Sequence, residues 1–422
     1  MSIYTERVIK LKKWFTDARF GMFIHWGKYA LAGNGEWAEF SGRDGGSPEN
    51  FNPQHFDPDQ WAELAWNAGM RYIVFTTKHH DGFCMFDSKY TDYKVTNTPF
   101  GKDVTRMVFD AFRKKGFRIG VYHSLIDWHH PHYLPDRNDP RGKNGETDFP
   151  DVIDGVYQKY LYDSVEQLMT EYGKIDILFW DYCTEWKRPE YFKPDELLAM
   201  IRKHQPDIII NDRMTVDRTT HHKYAGDYRT PECAVPNRAP SEMWEACASA
   251  TSSWGYIKGD KTYKSAETVA TALMGCVSKN GNLLLNFAPD GDGVIQENAV
   301  RTMKELAVWF QNNGEAVYGC HKSEIPVPDM YCMTQKGKYV YLYLPFVPIG
   351  HIMVPELRGR SSKAVLLRTG KECNVSMWGL DHAMPFECRI VPDKDVQPGD
   401  VIRIELDGTY FENDSDHDGS MK

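Results

Sequence analysis

The sequence of 422 residues lacks several features that define whole classes of protein. It has no apolar run of about 18 residues, the length that a membrane-spanning helix needs. Positive charge is not in excess, since the formal net charge is -9 and the pI is about 5.9. Nucleic acid and membranes are therefore not expected as partners, because nucleic acid and anionic lipid surfaces favour a basic protein surface.

Cysteines are few, odd in number and scattered. None of the nine forms a CxxC pair, and several, such as Cys84, Cys276 and Cys320, have apolar neighbours, so we expect reduced thiols in the core. The amino-terminal segment MSIYTERVIKLKKWF has charges where a signal peptide would need an apolar core. A cytoplasmic location is therefore the expectation, and no pattern indicates the oligomeric state.

Apolar runs alternate with amphipathic segments over the first three quarters of the chain. Capping residues mark the helices: Asp57 and Asp103 begin two of them, and Gly116 ends one. The clearest predicted strands are residues 20–27, 71–80, 118–124, 175–181, 207–213 and 281–289. Strands separated by single helices pair in parallel through right-handed crossovers. This alternation predicts a (β/α)8-like TIM barrel over residues 1–319, somewhat irregular because the period is ragged over residues 214–260.

Beyond residue 319 the pattern changes to apolar residues at a period of two. The clearest examples are residues 338–343, 364–367 and 401–406, which are separated by glycine, proline and aspartate. The pattern predicts a small C-terminal antiparallel β-sandwich over residues 320–412. Residues 413–422 form an acidic tail that is predicted to be disordered.

Each of the first five predicted strands ends in polar or aromatic side chains. These are His25 with Trp26, Lys78 to Asp81, His123 with Ser124, Asp181, and Asn211 to Arg213. In a parallel barrel the carboxyl ends of the strands meet at one face, where substrates bind. Histidine, carboxylate, tryptophan and arginine together suit a ligand with several hydroxyl groups. Asp181 directly follows an apolar run, and its position alone favours a catalytic carboxylate and a helix cap about equally.

Adjacent histidines raise the question of a metal site. They occur at His79-His80, His129-His130 and His221-His222. Neighbouring residues of a strand point to opposite faces, so one member of each pair would miss a shared ion. No HExxH or comparable spacing is present. The sequence therefore predicts no metal and no other cofactor.

A ligand with many hydroxyl groups raises the hypothesis of a glycosidase. Cleavage of a glycosidic bond typically needs two carboxyl groups, one as nucleophile and one as acid. Asp181 is the candidate for the first role. The candidates for the second lie in loops or after other strands: Glu36, Asp227, Glu232 and Glu245. The requirement for two carboxyl groups does not choose among them.

Seven motifs, in chain order, then point to one enzyme family. They are FGMFIHWG, GEW, TTKHHDGF, the strand end Trp180-Asp181, GDYRTPE, MWEAC followed by SWGY, and LLLNFAPDGDG. From Phe20 to Gly293 the sequence resembles the α-L-fucosidases of glycoside hydrolase family 29. The resemblance implies an irregular barrel followed by a β-sandwich. It also implies an exo-acting, retaining enzyme that removes terminal α-L-fucosyl units from oligosaccharides or glycoconjugates without a cofactor.

The resemblance implies roles for the residues that match these motifs. Asp181 is the implied nucleophile of a covalent fucosyl-enzyme intermediate, and Arg213 is expected to lie beside it. Glu232 in RTPE is the implied acid/base, with Asp227 and Glu245 as alternatives because branches of the family differ in the position of this carboxylate. The implied hydroxyl-binding residues are His25, Glu36, Trp37, His79 and His80.

Two further features of the pocket follow from the same resemblance. Relatives commonly have a Tyr-Ser pair after the third strand, where this chain has His123 before Ser124. We expect His123 to change the shape of the pocket or to replace a hydroxyl contact with an imidazole. The C5 methyl group of fucose needs an apolar wall, for which Trp26, Phe179 and Trp254 are the candidates.

Two other functions fit the same residues. An α-L-galactosidase-like enzyme would differ only in what it accepts at C5, and a catalytically silent sugar-binding protein would keep the pocket without turnover. The expected partner is a fucosylated oligosaccharide. Linkage preference is not indicated, because contacts to the aglycone come from loops.

Overall fold

A computed structural model gives the arrangement of most of the chain. The structure describes residues 13–145, 148–182, 189–215, 223–224, 226–238, 240, 242–354, 357, 361–378 and 387–406. Two features of the sequence analysis lie outside these ranges, the pair His221-His222 and the acidic tail of residues 413–422.

Seven parallel strands form the first sheet of the described chain, in the order β5-β4-β3-β2-β1-β7-β6. They are β1 (Phe20–Ile24), β2 (Tyr72–Lys78), β3 (Arg118–Ser124), β4 (Ile177–Asp181), β5 (Ile209–Ile210), β6 (Glu245–Ser249) and β7 (Asn282–Phe287). Nearly all of their residues are buried. Helices cover one face of the sheet, and the other face lines the barrel interior. Because both faces are buried, the strands have near-continuous apolar sequences.

An irregular segment closes the sheet between β5 and β6. Residues 228–232 pair with both neighbours through single parallel bridges: Asn211 with Tyr228, Arg229 with Trp244, and Glu232 with Cys247. This segment is the eighth member of the barrel, although its pairing is too sparse for a regular strand. The predicted (β/α)8-like barrel is confirmed, and the ragged period of residues 214–260 corresponds to its irregular side.

Helices connect the strands and form the outer layer. They are α1 (Tyr29–Ala32), α2 (Pro58–Asn67), α3 (Val104–Lys115), α4 (Val156–Glu171), α5 (Pro194–His204), α6 (Ala266–Val277) and α7 (Glu297–Asn313). The predicted caps are confirmed, since the Asp57 and Asp103 side chains accept hydrogen bonds from the backbone N–H groups of Gln60 and Arg106. Within the described residues, no helix is both long and apolar enough to cross a membrane.

The C-terminal part is an eight-stranded antiparallel sheet in the order β11-β14-β13-β12-β15-β10-β9-β8. The strands are β8 (His321–Lys322), β9 (Cys332–Lys336), β10 (Tyr339–Leu344), β11 (Ile352–Val354), β12 (Ser361–Leu366), β13 (Lys371–Trp378), β14 (Glu387–Val391) and β15 (Asp400–Leu406). Ile352 and Ile390 share one buried cluster with Leu342 and Ile404. The sheet therefore folds around a single core, as the predicted β-sandwich requires.

Candidate active site

Asp181 ends β4 at the mouth of the barrel, with 16% of its side chain exposed. Its two oxygens have different partners. The Arg213 guanidinium donates to Oδ1 at 2.8 Å, and the Tyr122 hydroxyl donates to Oδ2 at 2.7 Å. Nε2 of His80 lies 3.6 Å from Oδ2. The carboxylate is therefore held in one orientation by hydrogen bonds from β3 and from the segment after β5.

The same partners set the charge of Asp181. Burial alone would raise its pKa, but Arg213, His80 and Tyr122 outweigh burial and lower the pKa below its ordinary value. Asp181 is therefore an anion at neutral pH, which a carboxylate nucleophile has to be.

Arg213 also contacts the second carboxylate of the site. Its other terminal nitrogen, NH2, lies 2.8 Å from Oε2 of Glu232. The Glu232 side chain is 42% exposed, whereas the Arg213 side chain is only 7% exposed. One buried guanidinium thus faces two carboxylates, one enclosed by the barrel and one open to solvent.

The hydrogen bonds around His80 determine its tautomer. Nδ1 of His80 lies 2.7 Å from Oγ of Ser124, and that hydroxyl donates its own proton to the carbonyl of Ile126. Nδ1 must therefore hold the proton of the ring, and Nε2 is left as an acceptor. Burial lowers the pKa of His80 to about 4, so the ring is neutral at pH 7.

His25, at the end of the neighbouring strand β1, is held in the same way. Its Nδ1 lies 2.8 Å from Oδ1 of Asn286, whose amide nitrogen donates to Ser249 and to the carbonyl of Trp254. Those two bonds fix the orientation of the amide, so Nδ1 of His25 is the donor and Nε2 is an acceptor. Burial lowers the pKa of His25 to about 4. Two neutral imidazoles therefore present acceptors in this part of the barrel.

Glu36 and Trp37 follow α1 and lie beside the histidines. Oε2 of Glu36 accepts hydrogen bonds from the Ser253 hydroxyl and the Gly255 backbone, so Oε1 is the oxygen left for a ligand. The Trp37 ring lies 5.2 Å from the ring of His80. His79 stacks on Tyr122, with the ring centroids 5.6 Å apart. The structure thus brings together the five residues predicted to bind hydroxyl groups.

An apolar surface lines the interior next to these polar groups. The rings of Phe179 and Trp254 both pack on Phe23, at 5.1 and 5.8 Å, and Trp254 also lies 5.2 Å from His25. The Arg213 guanidinium lies over the face of Phe179. Phe179 is fully buried and Trp254 is partly exposed, so Trp254 is the candidate whose surface a ligand can reach.

Two predicted binding residues lie elsewhere. The His123 ring is fully buried on the outer face of β3, where it packs near Trp180 and Nδ1 lies 3.1 Å from Oγ1 of Thr77. Trp26 packs between β1 and the helices, and its Nε1–H donates to the carbonyl of Asp290. Successive residues alternate across the sheet, so His123 and Trp26 face outward because Tyr122 and His25 face inward.

Tyr122 is a neighbour of Asp181 that was not among the residues predicted from the sequence. Its hydroxyl reaches Asp181 from inside the barrel. The sequence signal for its position is the alternation of side chains along β3, which puts Tyr122 and Ser124 on the same face. In the parallel register, Tyr122 pairs with Phe179 and Ser124 pairs with Asp181. The tyrosine therefore lies on the same inward row as the nucleophile candidate.

The two alternative acids have other surroundings. Asp227 is 4% exposed, and its Oδ2 accepts from Arg202 at 2.5 Å and from the Ile210 backbone at 2.8 Å, which ties residues 226–228 to β5 and α5. Glu245 is fully buried in the interior and pairs with the Tyr72 hydroxyl. Glu232 is therefore the most exposed of the three. Among the described residues, no group of three or more His, Cys, Asp and Glu side chains could hold a metal ion.

A (β/α)8-like barrel with an enclosed anionic carboxylate and an open second carboxylate at its mouth is the framework of a glycoside hydrolase. A family model described as alpha-L-fucosidase matches residues 4–315. The tissue alpha-L-fucosidase of Bos taurus is 30% identical over 404 residues, which cover 87% of this chain and 82% of that protein. The chain belongs to the α-L-fucosidase family.

Solved structures agree with this membership. Alpha-L-fucosidase isoenzyme 1 from Paenibacillus thiaminolyticus aligns with a TM-score of 0.89 at 37% identity, over 95% of this chain and all of that one. A family 29 α-L-fucosidase from Bacteroides thetaiotaomicron, solved as a trapped covalent intermediate, aligns with a TM-score of 0.78 at 26% identity. That alignment covers 94% of this chain and 96% of the other.

The buried position of Glu245 predicts how the stability of the protein changes with pH. Burial raises the pKa of Glu245 to about 8, although the Tyr72 hydrogen bond acts in the opposite direction. From about pH 4.3, where an unfolded glutamate ionises, to pH 8 the folded state keeps a proton that the unfolded state has lost. The contribution of Glu245 to the free energy of unfolding is therefore largest below this pH range, and it decreases as the pH rises through the range. In thermal unfolding between pH 5 and 8, we expect Glu245→Gln to lose less stability than the wild type.

The exposed Glu305 on α7 provides the control, because Glu305→Gln should leave the pH dependence of the wild type unchanged. Parallel curves for the wild type and Glu245→Gln would contradict the buried, protonated state of Glu245.

Proposed function

We propose that this chain is an exo-acting, retaining α-L-fucosidase in which Asp181 is the nucleophile and Glu232 the acid/base. The observation that supports this assignment most strongly is the Arg213 guanidinium, which lies 2.8 Å from both carboxylates. The two carboxylates thus contact the two terminal nitrogens of one planar cation at the mouth of the barrel. A retaining glycosidase requires such a pair, close to each other and to the anomeric carbon.

The first step forms the covalent intermediate. The Asp181 carboxylate attacks the anomeric carbon of an α-L-fucosyl unit as the bond from that carbon to the leaving oxygen breaks. Glu232 donates its proton to the leaving oxygen, and the alcohol departs. The acid role fits Glu232, because its side chain is exposed to solvent and an aglycone has to leave toward solvent.

The second step releases fucose. Glu232, now a carboxylate, removes a proton from water, and the water oxygen attacks the anomeric carbon and displaces Asp181. Two displacements at one carbon restore the original configuration. Asp181 leaves as the anion that Arg213 and Tyr122 stabilise, so these two residues favour the breakdown of the intermediate as well as the resting state.

The surrounding side chains fit a fucosyl ring. Nε2 of His25, Nε2 of His80 and the free oxygen of Glu36 are acceptors, and each suits the proton of a sugar hydroxyl. Trp37 and Trp254 offer partly exposed aromatic surface to the apolar parts of the ring. In this proposal Trp254 borders the C5 methyl group. The substrate is the terminal α-L-fucosyl unit of an oligosaccharide.

The covalent route is supported by the Bacteroides thetaiotaomicron relative. That structure is described as a trapped covalent intermediate of a family 29 α-L-fucosidase in complex with 2-fluoro-fucosyl fluoride. A mechanism with a covalent intermediate in this chain is consistent with an anionic carboxylate at a fixed position in its barrel.

Turnover of two aryl glycosides tests the proposed activity. We expect the purified protein to hydrolyse an aryl α-L-fucoside with a kcat/KM at least about tenfold above that for the matching aryl α-L-galactoside, because a C5 hydroxymethyl group would meet the apolar side of the pocket. A preference for the galactoside would support the related activity instead. Binding of fucose without release of the phenol at any pH from 4 to 9 would indicate a silent sugar-binding protein.

The acid/base is tested by the dependence on the leaving group. We expect Glu232→Ala to lose at least about a hundredfold in kcat/KM on a fucoside with a poorly departing alcohol, and much less on an activated aryl fucoside, since only the former needs protonation. Asp227→Ala is the matched control, because Asp227 is tied to Arg202 and β5. The assignment is wrong if Asp227→Ala shows this dependence and Glu232→Ala does not.

A further inference from the structure

The position of Arg213 depends on a hydrogen-bonded chain that lies behind it. Nε of Arg213 donates to Oγ1 of Thr230 at 3.1 Å, and the Thr230 hydroxyl donates to Oδ1 of Asp212 at 2.5 Å. Thr230 is 1% exposed and Asp212 is 2% exposed. These contacts are shielded from water, so each lost hydrogen bond would leave a buried polar group unpaired.

The direction of this chain is set by chemistry. Arginine has only donors and a carboxylate has only acceptors, so the single proton of Thr230 must point to Asp212. Its lone pairs then face the N–H group of Arg213. A hydroxyl between a fixed donor and a fixed acceptor has one orientation, and both neighbours enforce it.

Each nitrogen of the guanidinium has its own partner. NH1 contacts Asp181, NH2 contacts Glu232 and also lies 3.3 Å from Sγ of Cys247, and Nε contacts Thr230. Nε is therefore the nitrogen that is free of both carboxylates. Because the guanidinium is planar and rigid, the bond at Nε fixes the directions in which NH1 and NH2 point.

We propose that Thr230 and Asp212 are positioning residues of the hydrolytic site, which hold Arg213 in the plane that serves both Asp181 and Glu232. This inference rests on the proposed function. Thr230 and Glu232 lie two residues apart on the segment of residues 228–232 that closes the barrel. The segment thus contributes both the acid/base and the residue that orients its cationic partner.

The charged and titratable groups around this chain come from several elements. Asp181 is faced by Arg213, by His80 after β2 and by Tyr122 of β3. Asp212 has a further cation, Arg229, at 4.0 Å. Of these groups, Arg213 is the one that both lowers the pKa of Asp181 and contacts Thr230. A displaced Arg213 would therefore raise the pKa of the nucleophile.

Substitutions at Thr230 test the proposal. Thr230→Val keeps the shape and removes the hydroxyl, and we expect kcat on an aryl α-L-fucoside to fall about tenfold with a KM change below about twofold, since a hydrogen bond to a charged group is lost. The acidic limb of the kcat/KM profile should move to higher pH, because it reports the ionisation of the nucleophile in the free enzyme. Thr230→Ser keeps the hydroxyl and should restore most of kcat and the wild-type acidic limb.

Thr105→Val is the matched control. Thr105 is also fully buried and donates to a carbonyl, that of Met85, at the start of α3 away from Asp181. This variant controls for the loss of stability that a buried hydroxyl causes, and its pH profile should match the wild type. Asp212→Asn keeps an acceptor for Thr230 and should shift the acidic limb less than Thr230→Val.

Two results would overturn the proposal. One is a Thr230→Val variant whose kcat and acidic limb match those of Thr105→Val. The other is a Thr230→Ser variant that loses as much as Thr230→Val. Failure of the proposed function can be distinguished from failure of this inference. If the wild type does not hydrolyse fucosides, the proposed function itself is wrong, and the roles of Thr230 and Asp212 are wrong with it.

Discussion

The ion pairs of one buried guanidinium organise the mouth of the barrel. The Arg213 side chain is buried, and its charge would be unfavourable in this position without the carboxylates of Asp181 and Glu232. The dependence is mutual. Burial pushes the pKa of Asp181 upward, and Arg213 is the largest of the influences that oppose it. Without the guanidinium Asp181 would be protonated over more of the pH range, and only the Tyr122 hydroxyl would be left to orient its carboxylate.

Strand alternation and one irregular segment of the barrel position the side chains around Arg213. On β3 and β4 every second side chain faces inward, which places Tyr122 beside Asp181. The segment of residues 228–232 pairs only through single bridges, and its side chains have separate tasks. Thr230 is buried and contacts Nε of Arg213, whereas Glu232 is exposed and contacts NH2 of the same guanidinium.

The sequence predicts where the strands lie and where they end, but it does not predict which of their side chains face the barrel interior. The caps Asp57 and Asp103, the alternating barrel and the carboxylate at the end of β4 follow from local patterns, and the structure has all of them. His123 and Trp26 were expected in the pocket from the family resemblance and from their place at strand ends, but the phase of a strand is set by packing on both faces. In a strand buried on both sides, hydrophobicity does not show which residues face inward.

The central claim is that Asp181 forms the covalent bond to the sugar. The most direct measurement is mass spectrometry of the protein after reaction with 2-fluoro-fucosyl fluoride, followed by peptide mapping. We expect one 2-fluorofucosyl group per chain, located on Asp181, and no labelling of Asp181→Asn. A label on Glu232 or on any other residue, or rapid fucoside turnover without a label under conditions that trap the intermediate, would contradict the account.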